Sequence, residues 1–297
     1  MIMPHPNPDD LGADDDINDV VIRPFPKITF AAINCNSLNM SATANATHKR
    51  KIYGIVKLKT DIIFLSDIRL CNRAGVADMQ SLCNTLLINP YCSYKIIHNS
   101  HKNSRGVAIL YKNDLNFTVL QEARDEDDNQ LLVKCLIQNH TVILASIYGP
   151  NGTDPIFFSN LSNNIHSLGD FPIVVGGDWN TTYSGLPLAA NPDIINMANL
   201  PNHPNCKSLS ALCRNKKLID PFRLLWPDRL DYSYTPRDIT RLNRSRLDFF
   251  LISRDISVSV SECDIAPCVQ SKLFDHKAVT LSFAGKKPNS DSLAKNS

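Results

Sequence analysis

Six places in the chain set a carboxylate, an amide, a phenol or an imidazole at the edge of an apolar run: Asn34, Asp67, Tyr148 with Asn151, Asp178 with Asn180, Asp248, and Asp275 with His276. These side chains handle protons and cations. Carboxylates accept protons or hold metal ions, imidazole carries a proton near neutrality, and amides and phenols orient a reacting group by hydrogen bonds. Any one of them alone is an ordinary turn residue, because Asp and Asn cap turns and a histidine beside a strand is usually just hydrogen-bonded. Repeated six times, the pattern is how a site is assembled along one edge of a sheet scaffold. The clearest instance is Phe171-Pro-Ile-Val-Val-Gly-Gly-Asp-Trp-Asn180, where a buried strand breaks at two glycines just before an acid and an amide. Asp178 and Asn180 are two residues apart, so on extended backbone they face the same side.

The elements that must position these groups follow from hydrophobic period. Strands are predicted over 27–34, 61–67, 94–98, 105–111, 115–120, 131–137, 141–148, 171–178, 231–236, 246–252, 258–266 and 278–283, with an acidic turn at 122–128. Helical spacing marks 42–59, 79–88, 154–168 and 208–218, and 220–226 is expected to pack behind the last of these. The proline- and asparagine-rich stretch 187–204 is a loop. Many strands interleaved with a few helices predict an α/β domain over 25–284, two packed sheets with helices outside. It is flanked by a disordered acidic arm at 1–24 and a polar tail or linker at 285–297.

Of the 297 residues, 43% are hydrophobic and 20% charged, and none of the chain approaches the ~20 continuous apolar residues a membrane span requires. No membrane partner is expected. The nine cysteines are scattered, odd in number and free of any C-x-x-C pair, which argues against both a disulfide framework and a zinc site and suits a reducing compartment. Two glycosylation sequons, Asn151-Gly-Thr and Asn180-Thr-Thr, fall among the candidate site residues, so secretion would risk glycosylating the site. Net charge is +2, but setting aside the six aspartates ahead of Arg23 leaves 31 basic against 23 acidic residues. A body of charge +8 fits an anionic partner.

The ordered set Asn34-Cys-Asn-Ser-Leu38, Asp61 to Asp67, Gly106-Val-Ala, Tyr148-Gly-Pro-Asn151, Gly177-Asp-Trp-Asn180, Arg246-Leu-Asp-Phe249 and Asp275-His276 resembles the endonuclease/exonuclease/phosphatase superfamily. Within it the likeness is greatest to apurinic/apyrimidinic-type endonucleases, especially those at the N-terminus of the second open reading frame of LINE-type non-LTR retrotransposons. It covers roughly residues 27 to 284. The fold this implies is a four-layer α-β-β-α sandwich of two packed mixed β-sheets with flanking helices.

The resemblance also implies roles. Asp67 would be the metal-binding carboxylate, with Asp275 and Asn36 in the metal shell, and Asn34 would lie beside the phosphate. Asp178 would polarise the attacking water and Asn180 would orient it. His276, held by Asp248, would contact the scissile phosphate, with Tyr148 against the phosphate or the leaving group and Asn151 supporting it. Such a set suits a phosphodiester: an oxygen-ligated Mg2+, or Mn2+, neutralises charge, a carboxylate aligns water in line, and a cationic donor meets the growing negative charge. No covalent nucleophile is needed. The chain departs from the family pattern at three points: Ser66-Asp67 replaces the usual Gln-Glu, Asn36-Ser37 stands where Asp-Gly is frequent, and Phe274 precedes Asp275 where Ser is usual.

The implied activity is a Mg2+-dependent endonuclease that nicks one strand of double-stranded DNA and leaves a 3' hydroxyl to prime reverse transcription, in the nucleus, as part of a protein fused to a reverse transcriptase. Two alternatives stand beside it: a phosphatase or phosphodiesterase of the same fold acting on inositol phosphates, lipids or RNA, and a DNA-binding module without activity. The segment 237–246 carries Arg237, Arg241, Arg244 and Arg246 between two strands, a placement that suits contact with a DNA groove better than contact with a small phosphate ester.

Overall fold

The computed structural model describes residues 23, 25–38, 46–70, 94–102, 104–183, 192–195, 205–236, 243–266 and 273–285. The arm up to residue 22, the helix expected at 79–88, most of the loop 187–204, Arg237, Arg241 and the tail beyond 285 lie outside the described residues.

Two six-stranded mixed sheets face each other. One has the order β13-β14-β1-β2-β4-β3 and the other β10-β12-β8-β7-β6-β5. In the first, β1 (Lys27–Asn34) lies parallel to β2 (Ile62–Ser66) and antiparallel to β14 (Val279–Ala284), while β3 (Tyr94–Asn99) and β4 (Val107–Lys112) form a hairpin and β13 (Val260–Ile265) closes the edge. In the second, β5 (Phe117–Arg124), β6 (Gln130–Ile137) and β7 (His140–Tyr148) form a meander; β8 (Ile173–Asp178) lies parallel to β7 and antiparallel to β12 (Asp248–Ser253), whose other edge takes β10 (Leu218–Ile219). A two-stranded ribbon, β9 (Ile194–Ile195) with β11 (Arg244–Ser245), stands apart.

Burial explains why the central strands are continuous apolar runs rather than alternating ones. Phe30, Ala32, Ile62 and Phe64 point inward against Val174, Phe250 and Ile252 of the opposite sheet. Their neighbours Ala31, Ile33, Ile63 and Leu65 point outward under α1 (Ala46–Val56), which contributes Ile52, Ile55 and Val56. On the far side, Val175, Phe249 and Leu251 pack under α2 (Pro155–Ser167) and α3 (Cys206–Lys216). The four layers are therefore helix, sheet, sheet, helix. The start of α2 is set by Pro155 in its first turn and by Asp154, whose carboxylate accepts from the backbone N–H of Ile156 and Phe157. A short α4 (Pro221–Leu225) is capped in the same way by Asp220.

Two sequence expectations change. The stretch 231–236 is not a strand: Tyr234 makes single bridges to Ser245 on one side and His276 on the other, so the segment is shared between two partners instead of continuing a ladder. The expected acidic turn at 122–128 begins later, because β5 continues to Arg124 opposite Leu131, with a bulge between Val119 and Gln121. Cys35, Cys135, Cys206, Cys213 and Cys263 carry free thiols. Among the described residues, no helix is long and apolar enough to cross a membrane.

Candidate active site

Strand register brings the polar ends together. In the second sheet Asp178 is the direct partner of Tyr148 on one side and of Asp248 on the other, while in the first sheet Asn34 is the partner of Ser66, the residue before Asp67. The sheets meet at this edge, where Asn34 Nδ2 crosses over to donate to Asp178 Oδ2 at 2.8 Å. Two glycines allow so close an approach: a Cβ on Gly177, at φ +149°, would lie 2.1 Å from the Ile147 carbonyl oxygen, and one on Gly149 would lie 2.1 Å from that of Trp179.

Asp178 is buried and accepts a second hydrogen bond, 2.9 Å, from the backbone N–H of Asn180. Burial and the neighbouring Asp248 charge raise its carboxyl to about 7, against the pull of His276. His276 Nδ1 donates to Asp248 Oδ2 at 2.6 Å. Burial alone would make that imidazole neutral, but the Asp248 charge and hydrogen bond outweigh it and lift the ring to about 9. Asp248 itself is fixed from behind by Ser233, whose Oγ accepts from the N–H of Leu247 at 3.0 Å and of Asp248 at 2.9 Å. Tyr234 tilts against the His276 ring, with centroids 4.9 Å apart. Tyr148 is pushed up to about 12 by burial and by the Asp67 and Asp178 charges, so it remains a protonated phenol, with the Asn151 and Asn180 side chains near it. Asn180 also donates from Nδ2 to the Gly149 carbonyl at 2.8 Å.

The ligand atoms of Asp178, Asp248 and His276 lie within 4.8 Å of one another. Within this trio His276 Nδ1 is taken up by Asp248, whose charge favours the protonated ring over the neutral one that ligates a metal. The oxygens expected to hold a cation lie beside it. Asp67 is 3% exposed at the end of β2, and Asn36 Nδ2 donates to both oxygens of Asp275 at 3.2 and 3.4 Å. Carboxylate and amide oxygens are hard donors, which fit a divalent cation of the Mg2+ or Mn2+ type. Left-handed backbone is concentrated here, at Asn36, Ser37, Asp67, Arg69 and Asn180. Strain of this kind gathers where side chains are held for function.

Sequence reasoning missed four contributors. Arg69 grips Asp67 through two hydrogen bonds, 2.9 and 2.7 Å. Lys51 is 5% exposed and donates from Nζ to the carbonyls of Cys35, Asn36 and Ser37, tying down the loop that carries Asn36. Its signal was present, since Lys51 lies four residues before Ile55 on the buried face of α1. Ser233 and Tyr234 carry no signal in the sequence, because their roles depend on how 231–236 lies between two partners.

Arg246 is the correction. Expected to bind substrate with Arg237, Arg241 and Arg244, it is 1% exposed and pairs with Asp193, at 2.7 and 2.9 Å, and with Asp220, at 2.5 Å. Arg223 joins the same Asp193 carboxylate. These pairs anchor the β9/β11 ribbon beside the site, and a guanidinium with this many buried carboxylate bonds has no reach to DNA. Arg244, by contrast, is exposed on β11. Replacing Arg246 with alanine strands two buried carboxylates and is expected to cost about 3–5 kcal/mol in urea unfolding. Unchanged stability would show that water reaches this network.

A sequence profile described as the Endonuclease/Exonuclease/phosphatase family matches residues 31–271. The chain belongs to this family. Among solved structures it is similar to the AP endonuclease LMAP from Leishmania major, at TM-score 0.67 and 16% identity over 87% of this chain and 88% of that one. An AP endonuclease from Archaeoglobus fulgidus gives 0.63 and 19% over 86% and 99%. A single-residue variant of the 3' phosphatase NExo from Neisseria, bound to a product DNA hairpin, gives 0.64 and 17% over 86% and 99%. At these identities the likeness is one of fold, and it accounts for the paired mixed sheets. The endonuclease/exonuclease/phosphatase membership makes the chain a hydrolytic phosphodiesterase or phosphatase by class.

Proposed function

We propose that the chain is a DNA endonuclease that nicks one strand of a duplex by direct attack of water on a phosphodiester. The observation that carries the reading is the juxtaposition of Asp178, a carboxyl poised near neutrality, with His276, a protonated imidazole, at one sheet edge. Asp178 takes the proton of the attacking water, and the Asn180 amide holds that water in line. His276 stabilises the charge that grows on the phosphoryl oxygens, with Asp248 keeping its proton in place. The bond that breaks is between phosphorus and the deoxyribose 3' oxygen, which leaves a 3' hydroxyl and a 5' phosphate. Asp67, Asp275 and Asn36 would hold the divalent ion, Mg2+ or Mn2+, whose chemistry is to neutralise phosphate charge and stabilise the leaving oxygen. Tyr148 donates its phenolic proton toward the phosphate or the leaving group, and Asn151 supports it. Arg244, with Arg237 and Arg241, supplies cationic contacts to the DNA backbone. Priming of reverse transcription from the new 3' hydroxyl, by a fused reverse transcriptase in the nucleus, completes the proposal and rests on the resemblance to LINE-type endonucleases.

Supercoiled plasmid titrated with Mg2+ tests the reading: nicked circles support it, and binding without nicking points to an inactive DNA-binding module. Release of phosphate from a 3'-phosphorylated hairpin, without nicks, would place the chain among the phosphatases of the family instead.

The proton inventory fixes a pH profile. Asp178 must be ionised, so nicking is expected to rise through about pH 7, and His276 must be protonated, so it is expected to fall through about pH 9. A rate independent of pH between about 6 and about 10 would remove both residues from the chemistry.

A further inference from the structure

We propose that Arg69 is a tethered cation that holds the ion-binding carboxylate of Asp67 and passes to the DNA phosphate when a divalent ion takes its place. The inference rests on the metal-dependent reading above and goes beyond it, because it couples ion binding to DNA binding through one side chain.

The Arg69 guanidinium meets both oxygens of Asp67, Nε at 2.9 Å and Nη2 at 2.7 Å. This fork-to-fork pair is the strong geometry for arginine and carboxylate. Asp67 is almost wholly buried, whereas the Arg69 side chain is 39% exposed, so the guanidinium covers the acid from the solvent side. An ion reaching Asp67 must therefore meet a positive charge on the oxygens it needs. The backbone underneath does not yield. Ile68 N–H donates to the Gly106 carbonyl at 3.1 Å and Arg69 N–H to that of Arg105 at 2.7 Å, while Ser37 and Leu38 donate to the carbonyls of Asp67 and Ile68, each at 2.8 Å. Both Asp67 and Arg69 sit in the left-handed region, at φ +53°, locked by these bonds from two sides. Movement is thus confined to the Arg69 side chain, whose flexible stem swings without disturbing the loop. Tyr148 and Asp275 are close enough to act on its charge, so the guanidinium lies on the same side of the site as both. A phosphate offers the same bidentate acceptor geometry as the carboxylate it leaves. The exchange then trades Arg69–Asp67 for ion–Asp67 and Arg69–phosphate, with no guanidinium left unpaired.

Two consequences are measurable without turnover. Arginine competition weakens ion binding to the DNA-free protein, and DNA relieves it, so ion and DNA bind cooperatively and reciprocally. Binding of Mn2+ would be followed by the electron-spin resonance of free Mn2+, with and without a short duplex carrying the nicked product. The wild type is expected to bind Mn2+ about tenfold tighter with the duplex than without it, a coupling of about 1.4 kcal/mol. Arg69→Ala is expected to bind Mn2+ about tenfold tighter than wild type in the absence of DNA and to lose most of the enhancement by DNA. Arg69→Lys keeps the charge without the fork and is expected to fall between the two. Circular dichroism confirms that each variant is folded. Unchanged or weaker Mn2+ binding by folded Arg69→Ala, or full enhancement by DNA in that variant, overturns the handover and leaves the ion site standing. Loss of Mn2+ binding in every protein, wild type included, overturns the ion site itself and the handover with it.

Discussion

Replacing Asp178 with alanine is expected to lower nicking by about three to four orders of magnitude, roughly 4–5.5 kcal/mol in barrier, while DNA affinity stays within a few-fold of wild type. In the proposed mechanism the proton that Asp178 accepts moves only in the transition state, so the loss belongs to turnover and not to binding. Folding should not suffer. Asp178 is a buried carboxyl whose ionisation is opposed by burial and by Asp248, so removing it relieves a cost even as it breaks the bond from Asn34. The variant is expected to melt at or above the wild-type temperature. Single-turnover nicking, a filter-binding isotherm and a melting curve read all three quantities, and retained nicking by the folded variant would sink the assignment.

The second large effect is expected from Asp248→Asn. Burial acts to neutralise His276, and the Asp248 carboxylate overrides it to keep the ring charged up to about pH 9. An amide at the same place keeps a hydrogen-bonding group near Nδ1 but removes the negative charge. The Asp178 and Asp275 charges still act on the ring, so the pKa of His276 should fall from about 9, and the descending limb of the pH profile should move toward neutrality. At pH 8 the rate is expected to drop by about tenfold or more, with partial recovery as the medium is acidified. Nuclear magnetic resonance of the imidazole, followed through the same titration, separates this from a loss of fold. A descending limb that stays near pH 9 would mean that another group sets it.

Both effects concern residues that the sequence already singles out, and the reason is physical. Asp178 closes and Asp248 opens a strand buried on both faces, so their apolar runs are unbroken and the polar residue bounding each run stands out. Register then follows from packing: Val174 and Phe250 must face the inner layer and Val175 and Phe249 the outer one, and only one alignment sets Asp178 beside Asp248. Arg246 was misjudged because arginine in a basic stretch looks like surface. Its partners Asp193 and Asp220 are 53 and 26 residues away, beyond any local pattern. The Arg69 grip on Asp67 was overlooked for a different reason: residues two apart face the same way only on extended backbone, and these two are in left-handed turns. The single bridges of Tyr234 replaced a predicted strand because β-like composition does not reveal how many neighbours a segment will find.

Asn36 and Asp275, joined by a hydrogen bond, lie 239 residues apart in the chain, and β14, which follows His276, is the antiparallel partner of β1. A ribosome adding about 5–20 residues per second needs on the order of 10–50 s to cover that interval. From residue 178 onward the nascent chain holds Asn36, Asp67 and Asp178, but it has neither His276 nor the closing strand β14. On the proposed mechanism, catalytic competence therefore arrives only near the end of the domain's synthesis, and a polypeptide interrupted before residue 276 carries most of the proposed constellation without its imidazole.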